Sequence, residues 1–121
     1  MTPTKINLRE KLGAIDQYWS PRVAAELNGQ HVRLAKLNGT FDWHHHDKED
    51  ELFLVLEGTL RIEFRDGAVE LGEGEMVVVP RGLEHRPVAE DDVHVLLFEP
   101  AATLNTGNIT NERTIAKPES I

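Results

Sequence analysis

From residue 21 onward, apolar residues fall in short runs that either alternate with polar ones or are continuous, and each run ends at a turn signal. The runs are Val23–Leu27, Gln30–Leu37, Leu52–Leu56, Leu60–Phe64, Met76–Val79 and Val93–Phe98. Between them stand Asn28-Gly29, Asn38-Gly39, Glu57-Gly58, Asp66-Gly67, Gly72-Glu73-Gly74, Pro80-Arg81-Gly82 and Glu90-Asp91-Asp92. Turn signals at intervals of roughly eight to twelve residues predict an antiparallel all-β sandwich or barrel. Asn-Gly suits a two-residue hairpin turn, because both central residues need positive φ. Asn28-Gly29 is therefore expected to join two strands, and Asn38-Gly39 to turn the chain into a strand carrying His44–His46.

One segment follows the other period. Leu8, Leu12 and Ile15 recur at helical spacing, with Asn7 as N-cap and Glu10 three residues on. A short amphipathic helix over residues 7–13 is predicted, covering an end or edge of the sheet.

The strands differ in how many faces they bury. Leu60, Ile62 and Phe64 face one way, and Arg61, Glu63 and Arg65 the other, which marks one wet side. Leu52–Leu56, Met76–Val79 and Val93–Phe98 are apolar on both faces, so the second face needs a cover, either a second sheet or another subunit. From Ala101 the pattern gives way to a polar stretch without a hydrophobic run of its own. Residues 1–20 are expected to form the helix and lead-in, 21–100 the β-barrel, and 101–121 an extension lying on the barrel or on a partner subunit.

Composition narrows the classes. The chain has 121 residues, enough for one core. No apolar run reaches membrane-spanning length and no secretory leader is visible, so a cytoplasmic protein without a membrane partner is expected. With no cysteine, disulfides, thiol catalysis and Cys-type zinc sites are excluded. A formal charge of −8 disfavours nucleic acid, whose phosphates need clustered Lys and Arg.

The candidate chemistry lies at the entrance of the Leu52–Leu56 run. In an extended segment side chains alternate, so His44 and His46 share one face while His45 points away. Glu51 starts the face continued by Phe53 and Val55, and the acidic loop 47–50 lets the chain bring that carboxylate over the imidazoles. Glu49 is its rival two residues earlier. His85, after Pro80-Arg81-Gly82, supplies a fourth donor. Three imidazoles and a carboxylate suit Zn, Fe, Mn, Ni or Cu rather than Ca or Mg.

These residues resemble a known family. Gly39-x4-His44-x-His46-x4-Glu51-x6-Gly58, followed by Gly74-x5-Pro80-x-Gly82-x2-His85, looks like the two motifs of the cupin superfamily. The resemblance implies a double-stranded β-helix, or jelly roll, with His44, His46, Glu51 and His85 as metal ligands. It also implies a homodimer, since small cupins are commonly dimers. In two places this chain departs from the pattern: the first interval has four residues where five are most common, and Ala89 stands where Asn is favoured.

Four ligands on a six-coordinate ion leave two positions open, so a metal-dependent enzyme acting on a small oxygen-bearing metabolite is expected, a dioxygenase or an isomerase. The other class is a binding or sensing module whose metal only anchors a ligand or the fold. Its motive is the lack of an evident acid or base beside the ligands other than His31 and His94. Of those two, His94 shares its parity with Leu96 and Phe98 as possible pocket lining. Arg33, Arg61, Arg81 and Arg86 are read as wet-side residues that could meet an anion, and Trp43 as packing on the outer face.

Overall fold

The hairpin at Asn28-Gly29 shows how local sequence sets the fold. Asn28 (φ +49°) and Gly29 (φ +77°) both occupy the left-handed region, and Leu27 pairs directly with Gln30. The computed structural model describes residues 1–121. After helix α1 (Leu8–Gly13) it has strands β1 (Arg22–Leu27), β2 (Gln30–Thr40), β3 (Glu51–Glu57), β4 (Leu60–Phe64), β5 (Gly67–Leu71), β6 (Met76–Val79) and β7 (His85–Pro100). Every strand pairing is antiparallel, and the strands roll into the jelly-roll barrel that the turn spacing and the motifs imply. No helix is long and apolar enough to cross a membrane.

β7 organises the barrel. On one side it runs along β2 from Gln30↔Pro100 to Thr40↔Val88. On the other it pairs first with β4 (Phe64↔His85) and then with β3 (Leu52↔Phe98), and β6 lies beyond β3. Two expected turns are therefore corrected. Neither Asn38-Gly39 nor Glu90-Asp91-Asp92 reverses the chain; together they form a bulge between β2 and β7, where pairing jumps from Leu37↔Val93 to Gly39↔Ala89. Gly39 (φ +92°) supplies the kink, and the exposed acids are anchored where Tyr18 Oη and Asn38 Nδ2 donate to Asp92. A bulge and a turn ask for the same residue types, so only the partner strand distinguishes them. Gly58 is held to glycine here, because a Cβ would stand 2.6 Å from the carbonyl oxygen of Asp92.

The core inside the barrel draws on odd-numbered residues of three strands: Ala35 and Leu37, Phe53 and Val55, Val93, Val95 and Leu97, all buried. From the other side come Leu60 and Ile62, while Arg61 and Glu63 face out as expected. The cover over the second face is neither another sheet nor a subunit for much of its area. Leu12 of α1 and Ile15 just after it bury Ala24 and Leu34, and Leu8, Leu56, Leu96 and Ile121 pack around them. α1 starts as predicted, with Asn7 Oδ1 accepting from Glu10 N at 3.0 Å, a cap contributing about 1 kcal/mol. Beyond this cover Met76 and Val78 on β6 remain 59% and 51% exposed.

After Pro100 the chain crosses the end of its own barrel. Arg113 donates to Thr40 O, Val23 N donates to Glu119 O, and Ile121 N to Val23 O, so the final residues flank β1.

Candidate metal centre

Three elements deliver the four donors. Residues 41–50 form no regular strand, contrary to the strand expected for His44–His46, because the chain here bridges β2 to β3 across the barrel end. An isolated bridge ties the segment to β7: His44 N donates to His85 O (3.0 Å) and His85 N to His44 O (2.9 Å). Alternation survives without the strand. His44 and His46 are buried, while His45 is half exposed with Nε2 2.8 Å from Asp47 Oδ1. Glu51 opens β3 and His85 opens β7, both buried.

One potential ligand atom from each of the four residues lies within 4.8 Å of the others. Nε2 of His46 and of His85 stand 3.4 and 3.5 Å from Glu51 Oε1. Donors about 2.1 Å from one ion, at tetrahedral or octahedral angles, stand roughly 3.0–3.4 Å apart. The ring tautomers agree with this. Nδ1 of His44 donates to Asp42 O at 2.8 Å and Nδ1 of His85 to Leu83 O at 2.9 Å, which leaves each Nε2 as a bare lone pair. Besides His46 Nδ1, Glu99 Oε2 and Thr103 Oγ1, the facing atoms His46 Nε2, Glu51 Oε1 and His85 Nε2 are buried with no hydrogen-bond partner. Buried polar atoms are rarely left so, and a cation at their centre would satisfy all three.

Electrostatics favour the ligating forms of two of them. Burial, then the neighbouring His85 ring, pushes the His44 imidazole down to about 4. Burial alone would raise Glu51, but the close His46 and His85 rings outweigh it and hold the carboxyl well below its usual range. For His46, burial acts downward and the Glu51 carboxylate prevails, so its pKa is raised.

Beside the cluster lies a second buried group whose role the sequence does not disclose. Glu99 is 1% exposed, and the Leu52↔Phe98 register makes it the cross-strand neighbour of Glu51. Burial and then the Glu51 charge push its carboxyl well above the usual range. Arg33, expected on a wet side, is also only 1% exposed. It shares the inward parity of Ala35 and Leu37, lies 3.8 Å from Glu99, and donates to Thr103 O (2.8 Å) and Ala101 O (2.9 Å). Inward parity is the signal for both residues, and the patterns of β2 and β7 do not distinguish the inward parity from the outward one.

The remaining candidates lie elsewhere. His31 faces inward but accepts from Arg33 Nε at 3.2 Å and approaches Glu26 at 3.6 Å. His94 is corrected: its parity with Leu96 and Phe98 is the outer one, and its Nδ1 sits 3.0 Å from Glu57 Oε2 beside α1. Glu49 is half exposed and outside the cluster. Arg61, Arg81 and Arg86 form ion pairs with Glu63 or Asp50, and Trp43 lies between Arg65 and Arg86.

Two features frame the cluster. His44 and Glu51 line a cavity of about 40 Å³ that reaches into the barrel between Leu37, Phe41, Phe53 and Leu97. Residues 103–108 brace the ligand segment from outside: Asn108 Oδ1 accepts from His45 N, and Asn108 N donates to His45 O. The approach is so close that a Cβ on Gly107 (φ +58°) would lie 3.0 Å from His44 Cδ2.

Comparison with known proteins agrees with this geometry. Residues 30–99 match the family model described as Cupin domain. A solved cupin-2 domain protein from Shewanella frigidimarina is 46% identical, with a TM-score of 0.77 over 78% of this chain and 93% of that one. A solved protein from Neisseria meningitidis is 37% identical, with a TM-score of 0.74 over 80% of this chain and 99% of that one. The Bacillus subtilis protein YdbB is 46% identical over 63 residues, 51% of this chain and 56% of YdbB, so the match spans about half of each.

Proposed function

We propose that this chain, which belongs to the cupin domain family, holds one divalent transition-metal ion, Zn, Fe, Mn, Ni or Cu, on His44, His46, Glu51 and His85 and binds a small oxygen-bearing ligand beside it. The observation that carries this is the set of three buried donor atoms without a partner, two of them 3.4–3.5 Å from the third. When bound, such an ion polarises an oxygen ligand or, if redox-active, engages dioxygen. The chain's own part is to hold the ligands in one tautomer through Asp42 O and Leu83 O, and to keep the adjacent space apolar.

Among the two enzymatic types, dioxygenase fits the cavity better than isomerase. An isomerase moves protons, and no cavity-lining side chain other than the ligands His44 and Glu51 is an acid or base; His31 and His94 do not line it. The same observation favours a second reading, a non-catalytic binding module. Oxygen uptake with bound ligand under each metal separates them: binding without turnover in every case favours the module.

Replacing His46 or Glu51 with Ala is expected to abolish stoichiometric metal by elemental analysis while leaving a β-type circular dichroism spectrum. Full metal retention in both variants would overturn the metal assignment. A homodimer is proposed as well, supported by the exposed Met76 and Val78 on edge strand β6. Sedimentation at micromolar concentration should give twice the 13.6 kDa chain mass, and a monomer there rejects it.

A further inference from the structure

We infer that the cavity beside the four-residue cluster takes a monoanionic oxygen chelator with a short alkyl body, and discriminates against polyhydroxylated and dianionic ligands. The inference rests on the ion proposed above and goes further, because size, polarity and charge of the walls each restrict what can accompany the ion.

Size comes first. One water-sized occupant needs about 10–15 Å³ of such space, so a cavity of about 40 Å³ takes roughly three. A chelating head group at the cluster leaves room for an alkyl group of a few carbons and none for a phenyl ring.

Polarity follows from the lining. Apolar residues, among them Leu37, Phe41, Phe53, Val95 and Leu97, make up most of the wall. Apart from His44 and Glu51, its polar side chains are Trp19 and Asn105, and both are engaged. Trp19 Nε1 donates to Asn38 O at 2.8 Å; Asn105 Nδ2 donates to Arg113 O, and its Oδ1 accepts from Ile115 N. A hydroxyl on the ligand body would lose water and gain no ready partner, which lowers affinity about 5- to 150-fold for each such group.

Charge completes the restriction. Three neutral imidazoles and the Glu51 carboxylate leave a 2+ ion with net +1, which one anionic head neutralises. A second negative charge on the body would find no Lys or Arg in the lining. The nearby buried cation, Arg33, is directed to Thr103 O, Ala101 O and His31 instead. Unpaired charge in an apolar cavity is strongly disfavoured.

The test uses the full chain loaded with Co(II), its stoichiometry fixed by elemental analysis. Ligands sharing one α-hydroxycarboxylate head are then titrated by calorimetry and by the cobalt visible spectrum. 2-Hydroxybutyrate is expected to bind and perturb the spectrum. Erythronate, with a hydroxylated body, and malate, with a second carboxylate, should each bind at least tenfold more weakly. Mandelate should fail to bind the unmodified protein and bind Leu97→Ala or, if that variant does not fold, Phe53→Leu. Stoichiometric cobalt with erythronate or malate binding as tightly as 2-hydroxybutyrate overturns the inference and leaves the metal site standing. So does stoichiometric cobalt with no response to 2-hydroxybutyrate. Failure to take up cobalt overturns the metal site and the inference together.

Discussion

Side by side at one end of the barrel, two groups of polar side chains are equally buried and satisfied in opposite ways. Around Arg33 the guanidinium reaches the carbonyls of Ala101 and Thr103, the ring of His31 and the neighbourhood of Glu99. Around Glu51, the ring nitrogens of His46 and His85 and a carboxylate oxygen face one another with no hydrogen bond. Burial is the same, at 1% for Arg33 and 4% for Glu51, so burial does not separate structural from functional polarity. What separates them is the central group: the chain supplies partners to the Arg33 guanidinium, although Glu99 Oε2 and Thr103 Oγ1 beside it have none, and supplies none to the facing nitrogens of His46 and His85. Arg33 closes the fold on the chain's own carbonyls, and the four-residue cluster leaves that place to an ion.

The comparison breaks most sharply at Arg33. Arg33→Met leaves the carbonyls of Ala101 and Thr103 without a donor and removes the cation beside Glu99, whose carboxyl already sits well above the usual range, at a cost of about 1–3 kcal/mol for each carbonyl. Urea denaturation should show that loss, while folded Arg33→Met retains stoichiometric metal; loss of metal with unchanged stability would reverse the two roles. A smaller effect sharpens the cluster side. In metal-free protein the unfolded chain protonates His44 near 6.5 and the folded one at about 4. The unfolded state thus holds more protons between these values, and stability falls as the pH drops from 6.5 to 4. The contribution is up to about 3 kcal/mol. The raised pKa of His46 opposes part of it, so the test compares wild type with His44→Gln, whose stability should fall less over that window. The smallest effect is outside the barrel. His94→Gln loses only a partly exposed ion pair with Glu57, so stability should change by about 0.5 kcal/mol or less and metal content not at all.

Much of the site was legible in the chain. His44-x-His46 reads correctly as two inward rings and one outward, even though the segment is not a regular strand, since any locally extended stretch alternates. Glu51 with Phe53 and Val55 follows the same rule. Arg33 was not legible because both parities of β2 mix polar and apolar residues, and Glu99 and His94 were not for a different reason. β7 is apolar on both parities from Val93 to Phe98, so its pattern carries no signal of which parity faces in. His94 shares the outer face with Leu96 and Phe98, and Glu99 lies on the inner one.

By itself the sequence determined the antiparallel strands, the Asn7-capped helix and the four candidate donors, because turn chemistry, periodicity and spacing act over a few residues. Only the tertiary structure decided that Glu90–Asp92 is a bulge, that Arg33 and Glu99 stand beside Glu51, and that residues 103–108 brace His44 and His45. Each of these depends on which strand lies next to which and in what register, and register is set by how the whole core packs.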